Sequence, residues 1–538
     1  MTIPGPKVQL SRWQLRTVLT VLLTGQLLAA LDQTITGTAL PTILGQLGGL
    51  RSLSLLIAVY LLTSTVTAPL YGKLADTYGG KPAYLSAIGI FTLGSLLIGL
   101  SSNTAELVIF RAVQGAGAGG LVVIAFTISA SVVPPRQIGR VQGMVGIMYS
   151  LAAVAGPLIG GAFTQYVSWR WCFFINVPIG LVALVAVTVL LKLPAAGTRH
   201  RIDYTGALLL IAFVSVLLVI TVWDGSRYSW ASGEMIGAYA AAVVLLGVFL
   251  AAERRAPEPL MPLALFRNTE IAVALTVTFL VGIATIGAYF FLPIYLQIVR
   301  GYGPTEAGLS LLPMMLGVTL GSGLSGWLIS AVLGKVKYVV LTGLAILTVS
   351  LFLISTLTAA SAAWQVWADE ALLGIGMGLV ISKLIMSLQN RVDRRMLGTI
   401  TAQGLFIRII GSAVGAAVLG AVLVDRLNSW QRGHALSLLS SKVPLLYQDP
   451  KTIRQLAISA PGVHAEVVTA FARSLHTVFL AATPIMLAAF LLAWLLPGTR
   501  LRDERPVPHE AAAADRQPAP GAPVRPDPVQ RALTDEPS

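Results

Sequence analysis

The chain of 538 residues contains a single cysteine, Cys172, and only 11% of its residues are charged. One cysteine excludes an internal disulfide and a cysteine-based metal site. The five histidines are not spaced as metal ligands, and no GxxxxGK[ST] phosphate-binding loop occurs. These absences indicate that the chain is not an enzyme, has no cofactor and does not hydrolyse ATP. Any work that it does must draw on a gradient.

The scarcity of charge accompanies an abundance of apolar residues, which make up 55% of the chain and give a mean hydropathy of +0.79. Such a composition predicts an integral membrane protein, all α-helical. Apolar runs of about 20 residues, the length that crosses a bilayer, occur fourteen times. They are Arg16–Leu40, Leu53–Leu74, Pro82–Leu100, Ala105–Val132, Gly139–Phe163, Phe173–Leu193, Tyr204–Trp223, Glu234–Ala252, Ile271–Ile298, Ala307–Ser330, Tyr338–Leu357, Trp364–Leu388, Thr399–Val424 and His476–Leu496.

The net charge of +14 indicates orientation rather than nucleic-acid binding, because the basic residues alternate between loops. If the N-terminus is cytoplasmic, the short external loops carry only four of them: Arg51, Arg170, Arg227 and Arg300. The loops on the other side carry many more. Met1–Gln14 is basic and lacks a cleavage site, so the first span is its own targeting signal. We therefore expect a multi-pass protein of the plasma (inner) membrane with both termini in the cytoplasm.

The spans suggest two related halves, because Gly72–Gly79 has a weaker counterpart at Gly326–Ser330. Two six-helix bundles leave two spans over, which predicts an inserted hairpin. The expected segments are a cytoplasmic N-terminus (1–14), a first bundle (15–193), the hairpin with its linkers (194–267), a second bundle (268–497) with an external loop at about 426–474, and a disordered cytoplasmic tail (498–538).

A glycine-rich run, SLAAVAGPLIGG, lies within the span Gly139–Phe163. Gly156, Gly160 and Gly161 allow close approach of backbones, and Pro157 removes a backbone donor. The run predicts a hinge or a tightly packed seam. Similar glycine-rich packing also occurs in membrane helices without a transport role.

Two ionisable residues lie within spans of the first half. Asp32 is deep in its span, where an ionised carboxylate costs about 2.5–3.5 kcal/mol and needs a cavity, a partner or a proton. It is a candidate for proton binding or cation contact; the alternative is that it braces the bundle. Arg111 begins the fourth span on the same helical face as Gln114. Because arginine keeps its charge, Arg111 would act in coupling by lowering the proton affinity of a nearby carboxylate. The alternative is that it reaches the external interface as a membrane anchor.

The second half carries Lys383 and Arg408 within spans. Lys383 is interpreted as lying in the middle of Trp364–Leu388, where a lysine favours an anionic substrate, a salt bridge or a protonation switch. Arg408 is as readily structural as functional. Asp369 and Glu370, at the external end of the same span as Lys383, are interpreted as solvated interfacial charges, with collection of protons or cations as the alternative.

Several motifs resemble, in order and spacing, the fourteen-helix drug:proton antiporters of the major facilitator superfamily. They are LDQTITGTALPTI (Leu31–Ile43), YGKLADTYGGK (Tyr71–Lys81), RAVQGAGAGG (Arg111–Gly120), GPLIGG (Gly156–Gly161), WRWCFFINVPIG (Trp169–Gly180) and PTEAGLSLLPMMLG (Pro304–Gly317). The resemblance implies the major facilitator fold, with two six-helix bundles and an inserted hairpin. It also implies proton-driven export of lipophilic, often cationic, compounds.

The resemblance assigns roles to named residues. It places Asp32 and Arg111 in proton coupling, and Gly156–Gly161 becomes the antiporter motif. Residues of the second motif would hold the two halves together as a gate: Gly72, Asp76, Gly79 and Lys81. Thr77 and Gly80 depart from the family pattern, which usually has a basic residue at each position, so this charge latch is thinner here. Residues expected to line the substrate cavity are Gln114, Tyr289, Phe290, Tyr295, Lys383 and Arg408.

The sequence thus predicts a proton-coupled exporter working by alternating access as a monomer, with a small lipophilic substrate, protons and the lipid bilayer as its partners. A second hypothesis, favoured by Lys383, is export of an anionic or lipid-like metabolite. A third is a receptor on a transporter fold that binds ligand without moving it; no feature favours it.

Overall fold

The computed structural model describes residues 12–47, 53–133, 135–191, 203–222, 232–257, 259–328, 336–392, 396–433, 461–496 and 498. Within these residues the chain is helical. The α-helices are α1 (Arg12–Leu47), α2 (Leu53–Tyr78), α3 (Gly80–Leu100), α4 (Thr104–Val132), α5 (Pro135–Ala162), α6 (Trp171–Phe174), α7 (Asn176–Leu190), α8 (Tyr204–Val222), α9 (Gly233–Arg255), α10 (Thr269–Ile294), α11 (Pro304–Ser310), α12 (Leu312–Trp327), α13 (Val336–Ser355), α14 (Ala363–Gln389), α15 (Leu397–Gly433) and α16 (Pro461–Ala493).

In the described residues, each of the fourteen predicted spans overlaps a helix or a pair of consecutive helices. Eleven helices in the described residues are long and apolar enough to cross a membrane. Short π-helical turns extend α5 (Phe163–Val167) and α10 (Tyr295–Val299). Within the predicted external loop at 426–474, α15 continues to Gly433 and α16 begins at Pro461, and the external location of this segment stays a prediction. Residues 434–460, 499–538 and most of the predicted N-terminal segment lie outside the described residues.

The helices pack around separate apolar cores. One core unites α1 to α4 and α7 around Tyr84 and Phe91, and a larger one unites α10 with α12 to α16 around Leu347 and Phe479. Large apolar side chains such as Leu93 and Val182 are exposed on the outside of the bundle. An exterior of this kind faces lipid in a membrane protein.

Glycines set how closely α4 approaches its neighbours. A Cβ on Gly115 would lie 2.6 Å from the backbone oxygen of Tyr60 in α2, and one on Gly117 would lie 2.7 Å from the backbone oxygen of Ala87 in α3. Small residues permit such contacts between helices in lipid, where van der Waals packing drives association. The glycines of the motif RAVQGAGAGG therefore allow α4 to pack against both helices. This packing also positions the polar side chains at the start of α4.

The two halves meet on the side that the charge distribution predicts to be cytoplasmic. There, Ala68 and Val123 from the first half form a buried cluster with Ile385, Ala402 and Leu405 from the second, here called the inter-half plug. Helix α5 also packs against α12. The hairpin α8–α9 contacts α2 and α15 across a further apolar cluster, so it lies over this seam. The conformation is closed on the predicted cytoplasmic side.

Candidate functional site

A buried polar network occupies the first half, on four helices. Asp32 of α1 is fully buried, and its Oδ2 lies 2.8 Å from Nη1 of Arg111 in α4. Its Oδ1 accepts hydrogen bonds from Nε2 of Gln114 at 2.7 Å and from Nδ2 of Asn176 in α7 at 3.1 Å. Nε2 of Gln114 also donates to the hydroxyl of Ser95 in α3 at 2.7 Å. The carboxylate thus accepts hydrogen bonds from donors on two other helices, α4 and α7, and Ser95 of α3 extends the network.

Arg111 is enclosed within the bundle. The side chain is 7% exposed, and its guanidinium also donates to Oε1 of Gln114. The guanidinium carbon lies 4.2 Å from the ring centroid of Tyr60 and 5.8 Å from that of Phe173. Cation–π contacts of this type contribute about 0.5–2 kcal/mol. Arg111 therefore does not reach out to the interface as a membrane anchor, which was one of its two predicted roles.

The network can exist in two charge states. Arginine stays protonated at accessible pH, so only Asp32 can exchange a proton. An ionised Asp32 satisfies the guanidinium, whereas a protonated Asp32 leaves a buried cation without its counter-ion, an arrangement that costs several kcal/mol unless the helices rearrange. The ion pair and its hydrogen bonds therefore link the charge of Asp32 to the packing of α1, α4 and α7.

Two members of the network were not predicted. Ser95 and Asn176 are polar residues in largely apolar helices, and Nδ2 of Asn176 lies 3.4 Å from the hydroxyl oxygen of Ser95. Asn176 occurs within the motif WRWCFFINVPIG, and a lone asparagine in an apolar run was the available signal. Thr34, which the sequence places near Asp32, instead donates to the backbone oxygen of Ala152 in α5 at 2.9 Å.

The predicted gate residues form a contact between the halves. Asp76, near the end of α2, accepts hydrogen bonds from the backbone N–H of Gly398 at 2.8 Å and from the backbone N–H and hydroxyl of Thr399, both at 2.7 Å. These donors lie at the start of α15, where a carboxylate also interacts favourably with the helix dipole. A Cβ on Gly72 would lie 2.6 Å from the backbone oxygen of Gly398. Asp76 with its three donors is here called the latch.

The other two gate residues act within the first half. Nζ of Lys81 donates to the backbone oxygen of Thr188 in α7 at 2.7 Å, so it does not contribute to the latch through this bond. Gly79 has φ of 95° between α2 and α3. Glycine adopts this conformation without strain, which permits the tight turn between α2 and α3.

The glycine-rich run continues as helix through 156–161. A Cβ on Gly156 would lie 2.5 Å from Cβ of Thr34 and overlap its hydroxyl, so α5 and α1 touch there. Gly160 is buried, whereas a Cβ on Gly161 would meet no atom within 4 Å. The tight seam is therefore located at Gly156. The side chain of Pro157 lies outside the described residues, and the hinge itself stays a prediction.

The predicted cavity residues are spread across the molecule. Gln114 belongs to the buried network, and the hydroxyl of Tyr295 donates to the backbone oxygen of Thr358 beyond α13. Arg408 is partly buried on α15, where its backbone oxygen packs against Gly282 of α10. The side chains of Tyr289 and Phe290 lie outside the described residues. A shared substrate cavity for these residues stays a prediction.

Lys383 differs from its predicted depth. It lies six residues before the end of α14 rather than in the middle of the span, and it is nevertheless fully buried. Within the described part of the chain its ammonium has no hydrogen-bond partner. Burial excludes snorkelling in this conformation, and the lysine adjoins the inter-half plug through the neighbouring Ile385.

Glu370 also differs from expectation, since it is fully buried rather than solvated. Neither carboxyl oxygen has a hydrogen-bond partner among the described residues. The adjacent Asp369 is partly exposed, as a residue near a helix end is expected to be.

Helical halves that meet at a gate, with an ion pair buried inside one of them, define a membrane transporter rather than an enzyme. The Major Facilitator Superfamily model matches residues 22–416, and the chain belongs to this family.

Relatives agree with this assignment. The chain is 34% identical to the multidrug transporter protein MdtP of Bacillus subtilis over 76% of each protein. It is 32% identical to multidrug resistance protein 3 of the same organism, over 88% of this chain and 94% of the relative. The fold is similar to that of the human organic anion transporter MFSD10, with a TM-score of 0.62 at 15% identity, covering 89% of this chain and 99% of the other. The names of the two bacterial relatives support the predicted resemblance to the drug-efflux branch, and the structural similarity supports the fold.

Proposed function

We propose that this protein exports lipophilic, chiefly cationic, compounds across the plasma membrane in exchange for protons, by alternating access. The observation that carries the proposal is the buried ion pair of Asp32 and Arg111, with Gln114 and Asn176 completing the shell of the carboxylate. The names of the bacterial relatives support multidrug substrates. A proton gradient is the energy source, and no cofactor is required.

The ion pair suggests how coupling works. A proton that arrives from outside neutralises Asp32 and releases Arg111, and the loss of this buried pair favours rearrangement of the helices that carry it. The conformation closed on the predicted cytoplasmic side then gives way to one open there. In that state the proton leaves Asp32 and a cationic substrate enters, and the restored ion pair favours closure.

The test is transport in proteoliposomes under an imposed pH gradient, with a lipophilic cationic dye. Asp32→Asn keeps the shape of the side chain and removes its charge. We expect loss of gradient-driven dye movement and of the accompanying proton flux, with folding intact by thermal unfolding. Asp369→Asn, a partly exposed acid in the other half, is the matched control. Undiminished transport by Asp32→Asn would refute the assignment.

The burial of Lys383 without a partner favours a second candidate, export of an anionic or lipid-like compound. A substrate with a negative charge would supply the missing counter-ion when the contact between the two halves opens. Lys383→Ala should then abolish movement of an anionic amphiphile and spare the cationic dye. Equal effects on both, or on neither, would exclude this candidate.

A further inference from the structure

The second half contains a carboxyl group that the proposed cycle does not use. Glu370 lies on α14 seven residues after its first residue, about 10 Å along the helix axis from the predicted external end. It is fully buried, and it shares a helix face with Val366, Leu373 and Met377, all members of the apolar core of this half. Its surroundings are thus apolar in both directions along the helix.

The groups around Glu370 do not offset a negative charge. Asp369, the neighbouring residue, is of like charge, and Tyr295 lies within electrostatic range. The hydroxyl of Tyr295 is already engaged by the backbone oxygen of Thr358. Arg300, which interacts electrostatically with Tyr295, donates to the backbone oxygens of Ala359 and Ser361.

The remaining helices packed against α14 supply no counter-ion near this level. Helix α12 has no ionisable residue, and α13 has only Lys337 and Tyr338, at its opposite end. Glu270 of α10 pairs with Arg391, which follows α14, at the predicted cytoplasmic side. The side chain of Tyr289, also on α10, lies outside the described residues. The other ionisable residues of the helices packed against α14 are Tyr149 on α5 and Arg408, Asp425 and Arg426 on α15, together with Arg136, Arg140 and Arg432, whose side chains lie outside the described residues. None of the described groups forms an ion pair or hydrogen bond with the carboxyl of Glu370.

An unpaired carboxylate in such a place is costly, whereas the neutral acid is tolerated. We propose that Glu370 is a second proton-binding residue of the transport cycle, protonated in the conformation closed on the predicted cytoplasmic side. It releases its proton to water when the second half rearranges, and rebinds one from outside. Each cycle then moves two protons, one on Asp32 and one on Glu370. This inference rests on the proposed proton-coupled export.

The proton-to-substrate ratio tests it directly. In proteoliposomes held at zero membrane potential, a gradient of one pH unit is opposed by a gradient of ethidium, a monovalent lipophilic cation, until net flux stops. Because one pH unit corresponds to a tenfold gradient per proton, two protons balance an ethidium gradient of about 100-fold and one proton a gradient of about 10-fold. This equilibrium measurement does not depend on the transport rate.

We expect about 100-fold for the wild type, about 10-fold for Glu370→Gln and about 100-fold for the control Asp369→Asn. A wild-type balance of about 10-fold, or an unchanged balance in Glu370→Gln, would overturn the proposal. Failure of the proposed function gives a different result. Ethidium would then fail to move against its gradient in every variant, or it would still move against its gradient in Asp32→Asn.

A second measurement needs no substrate. The infrared carbonyl-stretch band of a protonated carboxyl should be present in the wild type at neutral pH and weaker in Glu370→Gln. If the two spectra coincide, Glu370 is ionised and the proposal fails.

Discussion

The latch predicts how strongly one side chain biases the conformational equilibrium. The Asp76 carboxylate accepts three hydrogen bonds from Gly398 and Thr399 of the opposite half. A hydrogen bond to a charged group contributes about 1.5–3 kcal/mol net. The three bonds share one carboxylate and are not additive, so we take about 2–4 kcal/mol for the set. Asp76→Ala should therefore raise the population open on the predicted cytoplasmic side about 30- to 700-fold.

Cysteine accessibility measures this shift, because the only native cysteine, Cys172, is buried and can be replaced by alanine. Val123→Cys then places a thiol in the inter-half plug, at a position that is 1% exposed. A membrane-impermeant maleimide, added to inside-out vesicles, should label this thiol slowly in the parent protein. Labelling should accelerate by the stated factor in Asp76→Ala and by less in Asp76→Asn, which keeps one acceptor oxygen.

The matched control is Asp203→Asn. Asp203 accepts a hydrogen bond from the backbone N–H of Gly206, which belongs to the same helix start, so it does not join the halves through this bond. Its replacement should leave labelling unchanged. If Asp76→Ala labels no faster than Asp203→Asn, the latch does not hold the predicted cytoplasmic side closed. Faster labelling from the outside would show that the predicted orientation is reversed.

Three further predictions concern the first half. Gly156→Ala should lower the free energy of unfolding by about 1–3 kcal/mol, because the added Cβ overlaps α1, whereas Gly161→Ala meets open space and should cost less than half as much in the same thermal unfolding assay. Arg111→Lys should reduce gradient-driven dye transport at least about tenfold, because a lysine ammonium cannot reproduce the planar contacts to Asp32 and the facing ring; wild-type rates would contradict this role. Asn176→Ala removes one donor from the carboxylate, worth about 1.5–3 kcal/mol, and transport should fall by more than thermal stability alone explains.

The sequence allowed the helices to be predicted well and their ends less well. A run of 20 apolar residues leaves helix as the stable way to satisfy backbone groups in lipid, so all fourteen predicted spans overlap helices in the described residues. Hydropathy marks the apolar part of a helix and not its ends, so α15 continues to Gly433, beyond the span that ends at Val424, and α16 begins at Pro461, before the span that begins at His476.

The candidate site could be predicted only in part. Asp32 and Arg111 were identified because charge within an apolar span is conspicuous. Asn176 was missed because it lies 144 residues from Asp32, and nothing local distinguishes a bonded asparagine from an unbonded one. Glu370 was misjudged because its position near a helix end suggested solvent, whereas burial depends on which helices cover that end.

The two halves handle charge in opposite ways, and this difference bears on where the energy of transport enters. In the first half, Asp32 and Arg111 offset each other, and the amides of Gln114 and Asn176 donate to the second oxygen of the carboxylate. In the second half, Glu370 and Lys383 are both buried on one helix without hydrogen-bond partners. A buried group without a partner raises the free energy of the protein when the group is charged. In the proposed cycle, release of the proton from Glu370 leaves a buried carboxylate and favours hydration of α14. This helix borders the inter-half plug, so it is the element through which loss of a proton would weaken closure.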